Sequence, residues 1–272
     1  MLWIVQTNLF REDGYARLMD ALDRFGLDRV SVKPVPFTLR LLPGDFDSPV
    51  AVDPETIPEP PIDGTRKIMV MGSYSLAKVA VARGWSPGAF LDNTGYGEWS
   101  AGWGHERLLN PHAWTGSLRD ARLTKPSFVR PLSDSKSFVG KVYTPEEFSY
   151  WQEQVQDLGP DSYVNGETQV LVATPQEIHT ETRFFVVDGR LVTGSLYRVG
   201  GQVRYSEDVD PSAEAFARSC IADWVPSRAF VLDVALTPDG YRVVEVNAIN
   251  AAGYYACDLQ KLVGAFEDAF PE

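Results

Sequence analysis

Short apolar runs alternate with helical spacing at the start of the chain. Residues 2–7, LWIVQT, read as a strand. In the next stretch, EDGYARLMDALDRFG, Tyr15, Leu18, Leu22 and Phe25 recur at helical intervals and Gly26 supplies a stop. RVSVKPV reads as a second strand, and residues 42–65, rich in Pro, Asp and Glu, predict a surface loop. KIMVMG followed by SYSLAKVAVARG predicts a strand and then a helix with Ser73 as N-cap, and PGAFLDN a further short strand. Strands alternating with helices imply α/β architecture with a parallel sheet. TGYGEWSAGWGHERLLN, dense in Gly and Trp, reads as an irregular loop that packs aromatics, or as a lid over a substrate.

From about residue 118 the pattern changes to longer strands with explicit turns. SFVRPL and FVGKVY read as strands around the polar loop SDSK. TPEEFSYWQEQVQDLG predicts a helix with Thr144 as N-cap and Glu147 three residues on, a capping box. Two hairpins follow, separated by the helix PSAEAFARSCIADW, and helical spacing closes the chain from Cys257 onward. This second part is α+β in character.

The last hairpin, AFVLDVALTPDGYRVVEVN, turns at Pro238-Asp239-Gly240. A three-residue loop pairs Thr237 with Tyr241 and sets Asp233 opposite Glu245. Alternation then puts Phe230, Leu232, Val234 and Leu236 on one face and Asp233, Glu245 and Asn247 on the other. Two carboxylates facing each other across strands repel. Two carboxylates and an amide oxygen form a hard-oxygen set suited to Mg²⁺. A solvated polar face on a half-exposed hairpin fits the same spacing, and a turn one residue longer or shorter breaks the register.

In the preceding hairpin, HTETRFFVVDGRLVTGSLYR, Asp188-Gly189 is a strong two-residue turn signal that pairs Val187 with Arg190. It predicts Arg183 opposite Gly194, and His179 opposite Arg198. His179, Glu181, Arg183 and Arg198 then share a face, which suits a bound anion or a Glu181–arginine pair on a wet surface. FVRPLSDSKSFVGKVY adds Arg130, Lys136 and Lys141 in and around a loop. That loop can cover phosphates, although it lacks the GxxxxGK[ST] of a P-loop.

The formal charge of −12 over 272 residues disfavours general binding to nucleic acid or to anionic membranes. No stretch approaches the ~20 apolar residues of a membrane span. The N-terminus has no basic region and too short an apolar run for a secretory signal, so a cytoplasmic protein is expected. The two cysteines, Cys220 and Cys257, are expected to stay reduced. With no CxxC, a zinc site is not expected.

These pieces, in this order over residues 118–264, resemble the ATP-grasp superfamily. SFVRPLSDSKSFVGKV resembles its strand, phosphate-covering loop and strand. QVLVATP resembles its adenine-holding hinge strand. ETRFFVVDGRLVTGSLYR resembles its ribose and phosphoryl contacts, and LDVALTPDGYRVVEVNAIN its metal hairpin. The strings VRP…SKSFVGKV and RFFVVDG are similar to a bacterial and phage-associated branch whose substrates are uncharacterised. Arg130 stands where most members carry lysine, and no upstream ATP-contacting lysine can be matched, with Arg119 and Arg122 poor substitutes on spacing.

The resemblance implies an ATP-grasp fold with a shortened N-terminal α/β domain over residues 1–117 and the nucleotide- and metal-binding domain over residues 118–272. It implies ATP and Mg²⁺ as cofactors, with Asp233, Glu245 and Asn247 as metal ligands. Arg130, Lys136 and Lys141 would cover the phosphates. The backbone of Val170, Leu171 and Val172 would hold adenine, and Glu181 the ribose. Arg183 and Arg198 would steady the transferring phosphoryl group, and Asn250 and Gly253 would touch substrate. The implied activity is a ligase that activates a carboxylate as an acylphosphate for capture by an amine or another nucleophile. A phosphotransferase and a non-catalytic ATP-binding module are the alternatives. The expected partners are small-molecule or peptide substrates, with the oligomeric state open.

Overall fold

A computed structural model describes residues 1–9, 14–47, 53–92, 95–132 and 137–271. The chain opens with β1 (Leu2–Gln6), α1 (Gly14–Arg24), β2 (Arg29–Pro34), β3 (Leu41–Pro43), β4 (Ile68–Met71), α2 (Tyr74–Ala82) and β5 (Pro87–Gly88). They form a five-stranded sheet in the order β3-β2-β1-β4-β5. β1 is parallel to β2 and β4, and β4 to β5, whereas β3 returns antiparallel at the edge. Every residue of β1 and β4 is buried, as continuous apolar runs in a covered parallel sheet require. Ser73 does occupy the cap position of α2. Its side chain caps nothing there and donates instead to Gln6 Oε1, 2.8 Å away.

The Gly/Trp-rich segment is helical, contrary to the expected irregular loop. α3 (Tyr96–Trp103) lays Tyr96, Trp99 and Trp103 into the apolar core beneath the large sheet described below. Trp103 Nε1 donates to the carbonyls of Cys220 (2.9 Å) and Trp224 (3.1 Å), and its ring meets Trp224 edge-on. A Cβ at Gly102 would lie 2.1 Å from the Trp224 ring, so the helix approaches closely enough only with glycine there.

β6 (Trp114–Ser117), β7 (Ser127–Pro131), β8 (Lys141–Tyr143), α4 (Pro145–Val155) and β9 (Gln169–Ala173) follow. The strands make a four-stranded sheet in the order β6-β9-β7-β8. α4 carries the expected capping box, with Glu147 N donating to Thr144 Oγ1 and Thr144 N to Glu147 Oε2.

The large sheet contains β10 (Thr180–Val187), β11 (Arg190–Val199), β12 (Gln202–Ser206), β13 (Ala229–Thr237) and β14 (Gly240–Asn247), in the order β12-β11-β10-β13-β14. α5 (Pro211–Asp223) connects the two hairpins, and α6 (Leu259–Ala269) closes the chain. α6 starts at the Asp258 cap, beyond Cys257. Both cysteines are buried and unpaired with each other. β12 was not foreseen, although Gly200-Gly201, both at positive φ, is its turn signal. One core joins the first sheet to the large one, combining Trp3, Val5, Met69 and Met71 with Phe185, Val231 and Phe266. Among the described residues, no helix is long and apolar enough to cross a membrane.

Candidate active site

Two hairpins and the small sheet enclose a cleft of about 560 Å³, within the usual size range of small-molecule sites. The large sheet lines it with Glu181, Arg183, Tyr197, Arg198, Asp233, Val244 and Glu245. The small sheet and its loop contribute Phe128, Arg130, Phe138, Val139 and Gly140. Leu109 and Asn110 enter beside β14, where Leu109 N donates to Val243 O at 2.8 Å.

The last hairpin turns one residue tighter than its sequence implies, pairing Thr237 with Gly240 across Pro238-Asp239. A bulge then adds Val244 to β14, so that Val234 pairs with Val243 while Asp233 still meets Glu245. The two offsets cancel. Asp233, Glu245 and Asn247 therefore share the cleft face, and Asn247 Nδ2 donates to Asp233 Oδ2 (3.2 Å) and Glu245 Oε1 (3.0 Å).

Asp188 (φ 51°) and Gly189 (φ 71°) form the expected two-residue turn, both central residues being left-handed. Bulges at Val192 and Tyr197 then shift the register, correcting the expected pairs. Arg183 faces Ser195 rather than Gly194, and Arg198 faces Glu181 rather than His179. At the second bulge two β11 residues oppose one on β10, and both reach its carboxylate. Tyr197 Oη donates to Glu181 Oε2 at 2.6 Å and Arg198 Nη1 to Oε1 at 2.8 Å.

Arg183 and Asp233 form a bidentate pair in the sheet interior, Nε to Oδ1 at 2.8 Å and Nη2 to Oδ2 at 2.7 Å, with the Asp233 side chain 1% exposed. Arg183 Nη1 donates to Gly253 O at 3.3 Å, and the guanidinium lies over the rings of Tyr197 and Tyr255. Arg183 is thus engaged by the protein along its whole edge, whereas the Arg198 side chain is 45% exposed. Burial pushes the Asp233 carboxyl up to about 6, with Glu245 and Glu181 adding to the rise and Arg183 opposing it. Burial and the charges of Asp233 and Glu181 hold the Tyr197 phenol well above its ordinary range, so it remains a donor to Glu181.

Several expected site residues lie elsewhere. Asn250 is 2% exposed and does not line the cleft. Its Oδ1 accepts from Phe90 N (2.8 Å) and its Nδ2 donates to Val70 O (2.7 Å) and Gly88 O (3.1 Å), so it ties the chain to the first sheet instead of meeting substrate. Lys141 is opposite Val129 in register and therefore shares the buried Val129 face, with its Nζ 4.4 Å from the Tyr143 ring centroid. Arg130 and Phe128 project from the opposite face. Val170, Leu171 and Val172 sit on β9 between β6 and β7, whose ladders take up their backbone. The nearest backbone outside the ladders is the linker 174–178, of which Ile178 lines the cleft. Lys136 lies outside the described residues. Arg119 and Arg122 are spent on the small sheet's surface, on Gln156 O and Glu167, and on Arg119 O and Ala121 O, respectively.

Tyr197 and Tyr255 escaped the sequence reading. Their rings stack at 5.1 Å, with Tyr205 stacked on Tyr255 at 4.8 Å. Tyr255 adopts φ 50°, and its carbonyl accepts from Arg17 of α1, which also reaches Cys257 O. The doubled tyrosine after Gly253 was the available signal, but no spacing rule connects it to Arg17 or Tyr197.

Among the described residues, no group of three or more His, Cys, Asp or Glu side chains is arranged to hold a metal. The donor set here is two carboxylates and an amide, of the kind that holds Mg²⁺ together with phosphate oxygens. It fits such an ion. The like charges of Asp233 and Glu245 are forced together by register, and a half-turn of the Asn247 amide presents oxygen in place of its donor.

A family model for an ATP-grasp domain, the third family of its clade, matches residues 58–266. No curated protein matches the chain in sequence. Among solved structures, the chain is similar to a RimK domain protein ATP-grasp from Sphaerobacter thermophilus, with a TM-score of 0.60, 14% identity and 99% of each chain covered. It is also similar to the D-alanine–D-alanine ligase from Bacillus anthracis, with a TM-score of 0.55, 11% identity, and 97% of this chain and 91% of the other covered. At these identities the structural likeness establishes the ATP-grasp fold, with N-terminal and C-terminal α/β parts.

Proposed function

The chain belongs to this ATP-grasp domain family, and from that premise we propose that it is a Mg·ATP-dependent ligase that activates a carboxylate as an acylphosphate. The observation that carries the reading is the facing pair Asp233 and Glu245, joined by Asn247, on one wall of a cleft whose other wall presents Arg130. Residues 118–272 hold nucleotide and metal in this reading, and residues 1–117 form the preceding α/β unit. A divalent cation held by Asp233, Glu245 and Asn247 supplies neutralisation of phosphate oxygens. Arg130 covers the phosphates, the linker 174–178 offers backbone groups to adenine, and Glu181 accepts from the ribose.

In the first step a substrate carboxylate oxygen forms a bond to the γ-phosphorus as the bond to the ADP oxygen breaks. In the second, the lone pair of an amine or another nucleophile attacks the acyl carbon. Phosphate leaves and the nucleophile gives up its proton. Arg198, half exposed and oriented by Glu181, steadies the phosphoryl and acylphosphate oxygens. Arg183 has a positioning role, since it holds Asp233 and the Gly253 carbonyl. Gly253 marks the border where substrate enters.

ADP release measured across amino acids and small acids, with hydroxylamine present, tests the reading. Hydroxamate formation is the expected result. ADP with a phosphorylated hydroxyl or histidine acceptor would reassign the protein as a phosphotransferase. Stabilisation by ATP without ADP under any condition would make it a binding module. The R198A variant is expected to keep Mg·ATP binding and lose turnover, and equal loss of both would move Arg198 to nucleotide binding.

A further inference from the structure

Arg130 reaches the cleft from the small sheet, but the ring against it belongs to another part of the fold. Its guanidinium carbon lies 5.5 Å from the centroid of the Trp99 ring. Trp99 is 2% exposed and sits on α3, where Tyr96, Trp103 and Leu108 pack with it against Phe184 and Leu232 of the large sheet. The indole is therefore a fixed surface. A planar guanidinium over an indole face is attracted by the ring's negative quadrupole and restricted in orientation, which a bare ammonium is not. Arg130 Nη1 also donates to Pro131 O at 3.3 Å. The returning chain at Gly140 closes in from β8, for a Cβ there would lie 2.9 Å from Arg130 Cβ and 3.0 Å from the Phe128 ring.

We propose that Trp99 is a positioning residue, whose indole face orients Arg130 toward the phosphates of a nucleoside triphosphate in the cleft and thereby couples α3 to the small sheet. The proposal rests on the nucleotide reading given above. It assigns the Gly/Trp-rich segment a role that the family's phosphate and metal residues do not contain.

The test is Mg·ATP affinity of the full chain by isothermal titration calorimetry. W99L is expected to weaken binding roughly tenfold. R130M is expected to weaken it at least as much, and the double variant no further than R130M alone. W99F, which keeps a smaller aromatic face, should retain most of the affinity. Wild-type affinity in W99L, or losses that add in the double variant, overturns the proposal. Absence of Mg·ATP binding by the wild type is a distinct result that removes the nucleotide reading and this proposal with it. If W99L does not fold, ¹⁹F spectra of the chain labelled with 5-fluorotryptophan replace it. The Trp99 line, identified as the one missing in W99F, should shift in R130M and again when Mg·ATP is added to the wild type. A line unmoved in both overturns the proposal.

Discussion

The two walls of the cleft hold their cations by different physics. On the large sheet, Arg183 is bound bidentately to Asp233, and Arg198 to Glu181, through strands whose register brings each pair together. On the small sheet, Arg130 rests against an indole and bonds to its neighbour's carbonyl. The first wall is a closed set of charges, most of it desolvated, and its energy depends on every partner being present. The second is a single charge oriented by shape. The first wall therefore bears on the integrity of the fold as much as on ligands, and the second mainly on ligands.

The largest expected effect breaks the first wall. R183M leaves Asp233 buried without its counter-ion and should cost about 3–5 kcal/mol in urea unfolding. A loss below about 1 kcal/mol would show that the pair is not held as described. Next, E245A should abolish the Mg²⁺-dependent part of the thermal stabilisation by ATP while leaving the metal-free melting temperature within a few degrees. Unchanged stabilisation would count against the cation set.

A pH dependence follows from Asp233. Its folded carboxyl is raised to about 6, above the ordinary carboxylate range, chiefly by burial. Its contribution to stability is therefore present at pH below that range and lost as pH rises through about 6. Protons and a cation compete for the same oxygens, so Mg²⁺ affinity should fall as pH drops below about 6. A flat Mg²⁺ affinity between pH 5 and 7 in calorimetry would contradict this. The smallest expected effect probes the second wall. G140A should displace Arg130 or Phe128 by a few tenths of an ångström and weaken Mg·ATP binding by roughly threefold, with stability changed by about 1 kcal/mol or less. A stability loss as large as that of R183M would erase the difference between the walls.

Much of the cleft was legible because hairpins are local. Asp188-Gly189 defined its turn, and Asp233, Glu245 and Asn247 came to one face through alternation. Even there the register of the last hairpin emerged from two offsets, a tighter turn and an added Val244, that no turn rule contains. Bulges at Val192 and Tyr197 moved Arg183 and Arg198 onto new partners for the same reason. Lys141 failed as a phosphate contact because its pairing with Val129 turned it to the other face. Asn250 failed because Phe90, Val70 and Gly88, more than 150 positions away in the chain, claim its amide.

Side-chain period and turn chemistry act over a few residues, so the sequence by itself determined the α/β and α+β elements, the two hairpins and the gathering of three oxygen-bearing side chains on one face. Which partner each charge takes depends on bulges and on packing between segments distant in the chain. Only the tertiary structure decided that Arg183 is spent on Asp233, that Arg198 is left half exposed, and that an indole from α3 lies against Arg130.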